Sequence, residues 1–122
     1  MPYNLVRKNE AQTFEKHGIN LTVYNEGLST VNLVWVSVKE GHFQEFIDKN
    51  SDYTYLIHSG YGTFVIDDKP IEVSAGDMLV VKKGSRIHYF GKLEMVLAVS
   101  PAFNPDNEVH VRYVKQDENP YS

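Results

Sequence analysis

The sequence predicts an all-β fold, a sandwich or a barrel, on three observations. Short runs rich in Val, Ile, Tyr and Phe recur roughly every ten residues, with no sustained helical period between them. The breaks between the runs carry Gly, Asp, Asn or Pro, the residues that set tight turns. The chain has 122 residues, 42% hydrophobic and 23% charged, the size and mix of one soluble domain that can bury its own core.

Taken in order, the first runs are NLTVY (20–24) and VNLVWVSV (31–38). The second is apolar at nearly every position, which predicts cover on both faces. FQEFI (43–47) and YTYLIH (53–58) follow, then TFVI (63–66) and PIEV (70–73). The last two read as a hairpin in which Asp67 and Asp68 turn the chain and Gly76 closes the return. MLVV (78–81), RIHYF (86–90), LEMVLAV (93–99) and EVHVRYV (108–114) complete the set, and LEMVLAV again asks for cover on both faces. Residues 8–18 are polar and predict a loop or a short helix, and KQDENPYS predicts a frayed C-terminus. With no internal repeat and no linker, residues 1–122 read as one domain. Its barrel core spans about 30–100, and residues 1–30 pack on the barrel or on a partner.

The composition excludes several classes of function. A net charge of −4 provides no basic footprint for nucleic acid. The absence of cysteine removes disulfides and thiolate metal sites. No run approaches the apolar length of a membrane span, and the N-terminal residues lack a signal-like apolar stretch, so a cytoplasmic protein is expected.

Glycine spacing narrows the fold. Counting from Gly41, the pattern Gly, five residues, His-x-His, three or four residues, Glu, six residues, Gly falls on Ile47, Lys49, Tyr53 and Gly60. Counting from Gly76, the pattern Gly, five residues, Pro-x-Gly, two residues, His, three residues, Asn falls on Lys82, Gly84, Ile87 and Gly91. In this skeleton residues 30–100 resemble the cupin family, whose fold is a double-stranded β-helix, or jelly-roll, barrel. KKGSRIHYFG also resembles a segment of the ethanolamine-utilisation cupins. The glycines match while the metal-ligand positions do not. Ile47 and Ile87 cannot coordinate an ion, Lys49 is a cation, and Tyr53 ligates only after losing a proton from a group of pKa about 10. The resemblance therefore implies the barrel without its metal, and no cofactor is expected. His58 and His88 are the fallback ligands if the register slips by one residue. With Ile57 and Ile87 inward, strand alternation points both histidines outward. His42 is expected to be solvated in the loop after Gly41, and His17 and His110 to lie on polar surfaces.

On this register Tyr53, Tyr55 and Tyr89 face the barrel interior. Lys49 lies near the mouth, Ile87 joins Ile47 and Ile57 around the tyrosines, Met78 and Val80 share the wall, and Trp35 contributes its ring. Such a lining suits a small polar or anionic metabolite, a sugar, sugar phosphate or carboxylate. A barrel filled by its own side chains is the equal alternative. Lys82, Lys83 and Arg86 form either an anion-attracting rim or a solvated turn. Glu45 with Tyr53 would supply an acid–base pair if Glu45 points inward; otherwise Glu45 is a surface carboxylate. Three functions are carried forward: a metabolite-binding module, a metal-independent isomerase, epimerase or lyase, and an accessory dimer with a filled barrel. The two-sided apolar strands predict a homodimer.

Overall fold

The structure, a computed structural model, describes residues 2–122. Nine strands form one curled antiparallel sheet. They are β1 (Gln12–Lys16), β2 (Ile19–Val23), β3 (Asn32–Val38), β4 (Gly41–Asp48), β5 (Asp52–Ile66), β6 (Lys69–Ser74), β7 (Met78–Val81), β8 (Ile87–Ser100) and β9 (Glu108–Tyr113). One path runs β1-β2-β3-β8-β4-β9, and β5 pairs with β6, β7 and β8. The sheet closes through β8, which holds β3 and β4 on one edge and β5 along nearly its whole length on the other. The runs expected at 86–90 and 93–99 are one strand that passes through Gly91, and those at 53–58 and 63–66 are one strand with an irregularity after Ile57.

The turns follow from single residues. Asp67 and Asp68 both take positive φ, 48° and 70°, and join β5 to β6 in a two-residue hairpin whose twist matches its strands. His17 and Gly18, at φ 50° and 93°, make the same kind of turn between β1 and β2. This second hairpin corrects the expectation for residues 8–18, which hold a single 3₁₀ turn at Lys8–Glu10 and then strand β1. The C-terminus is also tied down. Val114 and Asn119 are buried, Asn119 donates to the Glu40 carbonyl, and the Tyr121 hydroxyl meets that of Thr63.

The core sits inside the curl. Val34, Val36 and Val38 of β3 face Leu93, Met95, Leu97 and Val99 of β8, with Tyr53, Tyr55, Ile57 and Phe64 of β5 completing the interior. The opposite face of β3 is open. Leu33 is 48% exposed, and Trp35 lies in an outward row with Val96, Leu56 and Met78 across β8, β5 and β7. The predicted cover on both faces is therefore absent from the single chain. Met78 and Val80 are outward too, because their neighbours Leu79 and Val81 stand opposite the inward Tyr55 and Tyr53, and directly paired residues share a face. Among the described residues no helix is long and apolar enough to cross a membrane.

Candidate active site

The barrel is not filled by its own side chains. A cavity of about 510 Å³ opens beside β1, β2 and the segment before β9, and its floor is made by β4, β5 and β8. Its wall is mostly aliphatic, from Ile19, Leu21, Val23, Val34, Leu97 and Val99. Polar tips converge on this apolar space, the usual character of a small-molecule site.

His42 is the centre of the floor. It stands in β4 directly opposite Tyr89 of β8, and the two rings stack at 5.3 Å with their planes 26° apart. Its Nδ1 lies 2.7 Å from the Gln44 carbonyl oxygen. A carbonyl only accepts, so Nδ1 carries the proton and Nε2 keeps its lone pair. Burial pushes the imidazole down to about 3, against the opposing pull of the Gln44 carbonyl, so the ring is neutral at physiological pH.

Two tyrosines stand beside it. Tyr89 stacks on Phe64 at 4.6 Å, and Tyr55 packs edge-on against Phe64 and Tyr89 at 4.9 and 5.8 Å, so neither ring can turn freely. Burial raises both hydroxyls above the ordinary tyrosine range and keeps them protonated. Tyr53 also lines the cavity, but its hydroxyl donates to Asp48 at 3.1 Å. Asp48 is buried and accepts the backbone N–H groups of Asn50 and Ser51, which fixes it behind the Tyr53 ring. At the mouth, Lys16 of β1 pairs with Glu108 of β9 at 3.1 Å.

The other expected residues lie elsewhere. On β4 the even positions, His42, Phe46 and Asp48, face inward, so Ile47 faces out and Lys49 is exposed after the strand. A one-residue offset in counting exchanges the two faces of a strand, and the motif count from Gly41 carries that offset here. Trp35 points outward, packs at a tilt against His58 at 5.3 Å and donates to Glu94, so it adds nothing to the lining. Ile87 is buried in the core but does not border the cavity. Glu45 is neither inward beside Tyr53 nor on the surface. It is buried on the other side of β4 against Arg112 at 3.3 Å, His88 at 3.4 Å and Arg86 at 3.6 Å. The acid–base pair of Glu45 and Tyr53 is therefore not assembled. Of the supposed anion-attracting rim, Arg86 grips Asp68 through two hydrogen bonds, Lys82 stands 4.0 Å from Asp52 at the surface, and none of Lys82, Lys83 and Arg86 borders the cavity. His88 faces away from the cavity, and burial pushes its imidazole down. His58 is exposed beside the pairing of Ile57 with Met95, seven residues along β8 from His88, roughly 20 Å. These two fallback ligands cannot share an ion. Among the described residues no group of three or more His, Asp and Glu side chains is arranged to hold a metal.

The comparisons with known proteins meet this geometry. The chain is 44% identical to Pac13, a nucleoside dehydratase, over 98% of its own length and 99% of that protein's, with a TM-score of 0.93. This chain is a cupin of the Pac13 family. Structures of Streptomyces PAC13 variants Y55F, Y89F and H42Q with uridine match it at 44% identity as well, the first over 99% of this cupin and 100% of that chain with a TM-score of 0.94. KdgF from Halomonas sp., 13% identical over 84% of this cupin and 96% of that chain with a TM-score of 0.70, shares the fold. No protein-family model matches this cupin, and no curated protein does.

Sequence reasoning missed His42. Its signal was its neighbourhood: GHFQEFID holds bulky side chains at both odd and even positions, and such a segment is covered on both faces rather than solvated.

Proposed function

We propose that this cupin is a nucleoside dehydratase that works by general acid–base catalysis, with His42 as the group that moves the proton. The observation that carries the reading is the neutral, Nδ1-protonated His42 stacked on Tyr89 beside the buried Tyr55 in an open apolar cavity. Its support is the likeness to a nucleoside dehydratase whose variants with uridine are numbered at 42, 55 and 89, where this cupin carries the same His, Tyr and Tyr.

Dehydration breaks a C–H and a C–O bond on neighbouring carbons and leaves a C=C bond. The Nε2 lone pair of His42 takes the proton, and the C–H electrons form the double bond as the hydroxyl departs. The imidazolium so formed is a strong acid in its dry surroundings. It returns the proton to the departing oxygen, which leaves as water. A base with so low a pKa removes only a proton that the substrate has already acidified, so the reacting carbon lies beside an electron-withdrawing group. Tyr55 and Tyr89 stay protonated and donate hydrogen bonds to the oxygen on which negative charge collects. No step calls on a metal or cofactor.

The experiment is calorimetric titration with uridine, sugar phosphates and small carboxylates, together with mass spectrometry of nucleosides and their ribose-oxidised derivatives after incubation. Binding of uridine and loss of one water from an oxidised nucleoside are expected. A protein that binds sugar phosphates and no nucleoside would refute the reading. Tyr55→Phe and Tyr89→Phe are each expected to lower kcat roughly a hundredfold, the usual loss of one such donor, with a much smaller change in uridine affinity. An unchanged kcat in both variants would remove the tyrosines from the mechanism.

The outward row Trp35–Val96–Leu56–Met78 supports a homodimer in the same reading. Glu94, the carboxylate beside this row, accepts hydrogen bonds from Trp35 and Ser37, so its oxygens are held by the chain's own donors and the apolar row can meet its own copy across a two-fold axis. Sedimentation at micromolar concentration should give a dimer that Leu56→Glu splits; a parent chain that sediments as a monomer excludes it.

A further inference from the structure

We propose that Phe14 and Phe103 are positioning residues that hold the base of the nucleoside by stacking at the cavity mouth. This rests on the nucleoside reading above and assigns the half of the ligand that the catalytic floor does not touch. The floor groups, His42, Tyr55 and Tyr89, are hydrogen-bonding tips suited to a sugar. The other half of a nucleoside is a flat aromatic ring with two large faces, and its best complement is another aromatic face.

The cavity's other aromatic rings are committed to one another. Phe46 packs on His42 and Tyr53 at 5.2 and 5.7 Å, Tyr53 on Tyr55 at 6.4 Å, and Tyr55 on Tyr89 at 5.8 Å. Phe14 and Phe103 line the same cavity but stand outside this stack, 46% and 40% exposed. Two half-exposed rings at the rim of one apolar cavity leave unsatisfied faces next to the site of reaction. Scattered surface phenylalanines need no explanation, but a pair on one mouth does.

Both rings are held by backbone. Phe14 is in β1 opposite Leu21, itself a wall residue. Phe103 lies in the segment after β8, and its N–H donates at 2.6 Å to the side-chain oxygen of the buried Asn32 at the start of β3. The rings therefore sit on the rim itself, and the Lys16–Glu108 pair at the same mouth provides donors and acceptors for the edge of a base.

The test is titration calorimetry with uridine on the parent chain and on Phe14→Leu, Phe103→Leu and Phe103→Trp, with thermal midpoints compared so that every variant read is folded. Leucine keeps an apolar side chain at the rim and removes the aromatic face. Each Leu variant is expected to bind uridine at least about fivefold more weakly, the low end of what a base–aromatic stack contributes, and Phe103→Trp to restore the parent affinity. Leu variants that bind like the parent, or a Trp variant as weak as the Leu variant, would overturn the assignment while leaving the nucleoside reading intact. A parent chain that does not bind uridine overturns both.

Discussion

Replacing His42 by glutamine is expected to lower dehydration about a thousandfold, within the range of a lost general base, while uridine still binds. Glutamine is close in size, and its amide N–H can donate to the Gln44 carbonyl where Nδ1–H did. The cavity then keeps its shape and loses only the lone pair that takes the proton. A variant that turns over within tenfold of the parent would place the base elsewhere. The pH dependence has a definite sign. In the folded chain His42 is held down to about 3, whereas the unfolded chain takes up its proton near 6.5. Activity should therefore show no acid limb at the ordinary histidine pKa, since His42 remains neutral well below it. Stability should fall as pH drops from 6.5 toward 3, because only the unfolded chain binds the extra proton there. The full span amounts to at most roughly 5 kcal/mol. Urea midpoints at pH 7 and pH 4 should diverge less in His42→Gln than in the parent.

Gly60→Ala is expected to cost more than about 4 kcal/mol, a large share of the stability of an ordinary domain. Gly60 sits in β5 at φ 90°, paired with Leu93 of β8, and a Cβ there would collide with the Lys92 carbonyl group. The obstacle is backbone in the longest strand pairing of the sheet, so nothing can swing aside. Gly76→Ala is the control. Its φ is 94° but open space surrounds it, so it should lose only the cost of a left-handed alanine, about 1–2 kcal/mol. Chemical denaturation of the two variants side by side decides it, and equal losses would mean that the Lys92 contact does not matter.

These two positions mark what was legible in the sequence. Gly60 announced itself through spacing, because a strand crossing that excludes Cβ leaves glycine as its only solution, and the cupin barrel could be inferred from Gly41 and Gly60, which exclude a Cβ, with Gly76 and Gly84, whose turns take positive φ. The Asp67–Asp68 turn was legible for the same reason: local backbone chemistry is written in single residues. Tyr55 was placed inward because β5 alternates cleanly there, and Tyr89 because it shares a parity with Ile87. Strand β4 was not legible. Phe43 and Ile47 occupy one face and Phe46 the other, so hydrophobicity could not choose the parity, and counting from Gly41 chose the wrong one. That offset hid Asp48 and promoted Lys49, while His42 was hidden by starting the strand at residue 43, when β4 begins at Gly41. Trp35 misled for a different reason, since β3 is apolar on both faces and only its pairing with β8 and β2 shows which face turns in. Among the three functions read from the residues, the lyase alternative is the one that the proposed dehydratase takes up.

The cavity is assembled from two parts of the chain with unequal freedom. His42, Tyr55 and Tyr89 sit on strands bound on both edges or locked ring against ring. Phe14 and Lys16 ride on β1, an edge strand paired only with β2 through the His17–Gly18 turn. An exchange of residues on that hairpin alters the mouth of the cavity without disturbing its floor. The floor is conservative by construction and the mouth adjustable, so the hairpin is the natural place to retarget this barrel by design.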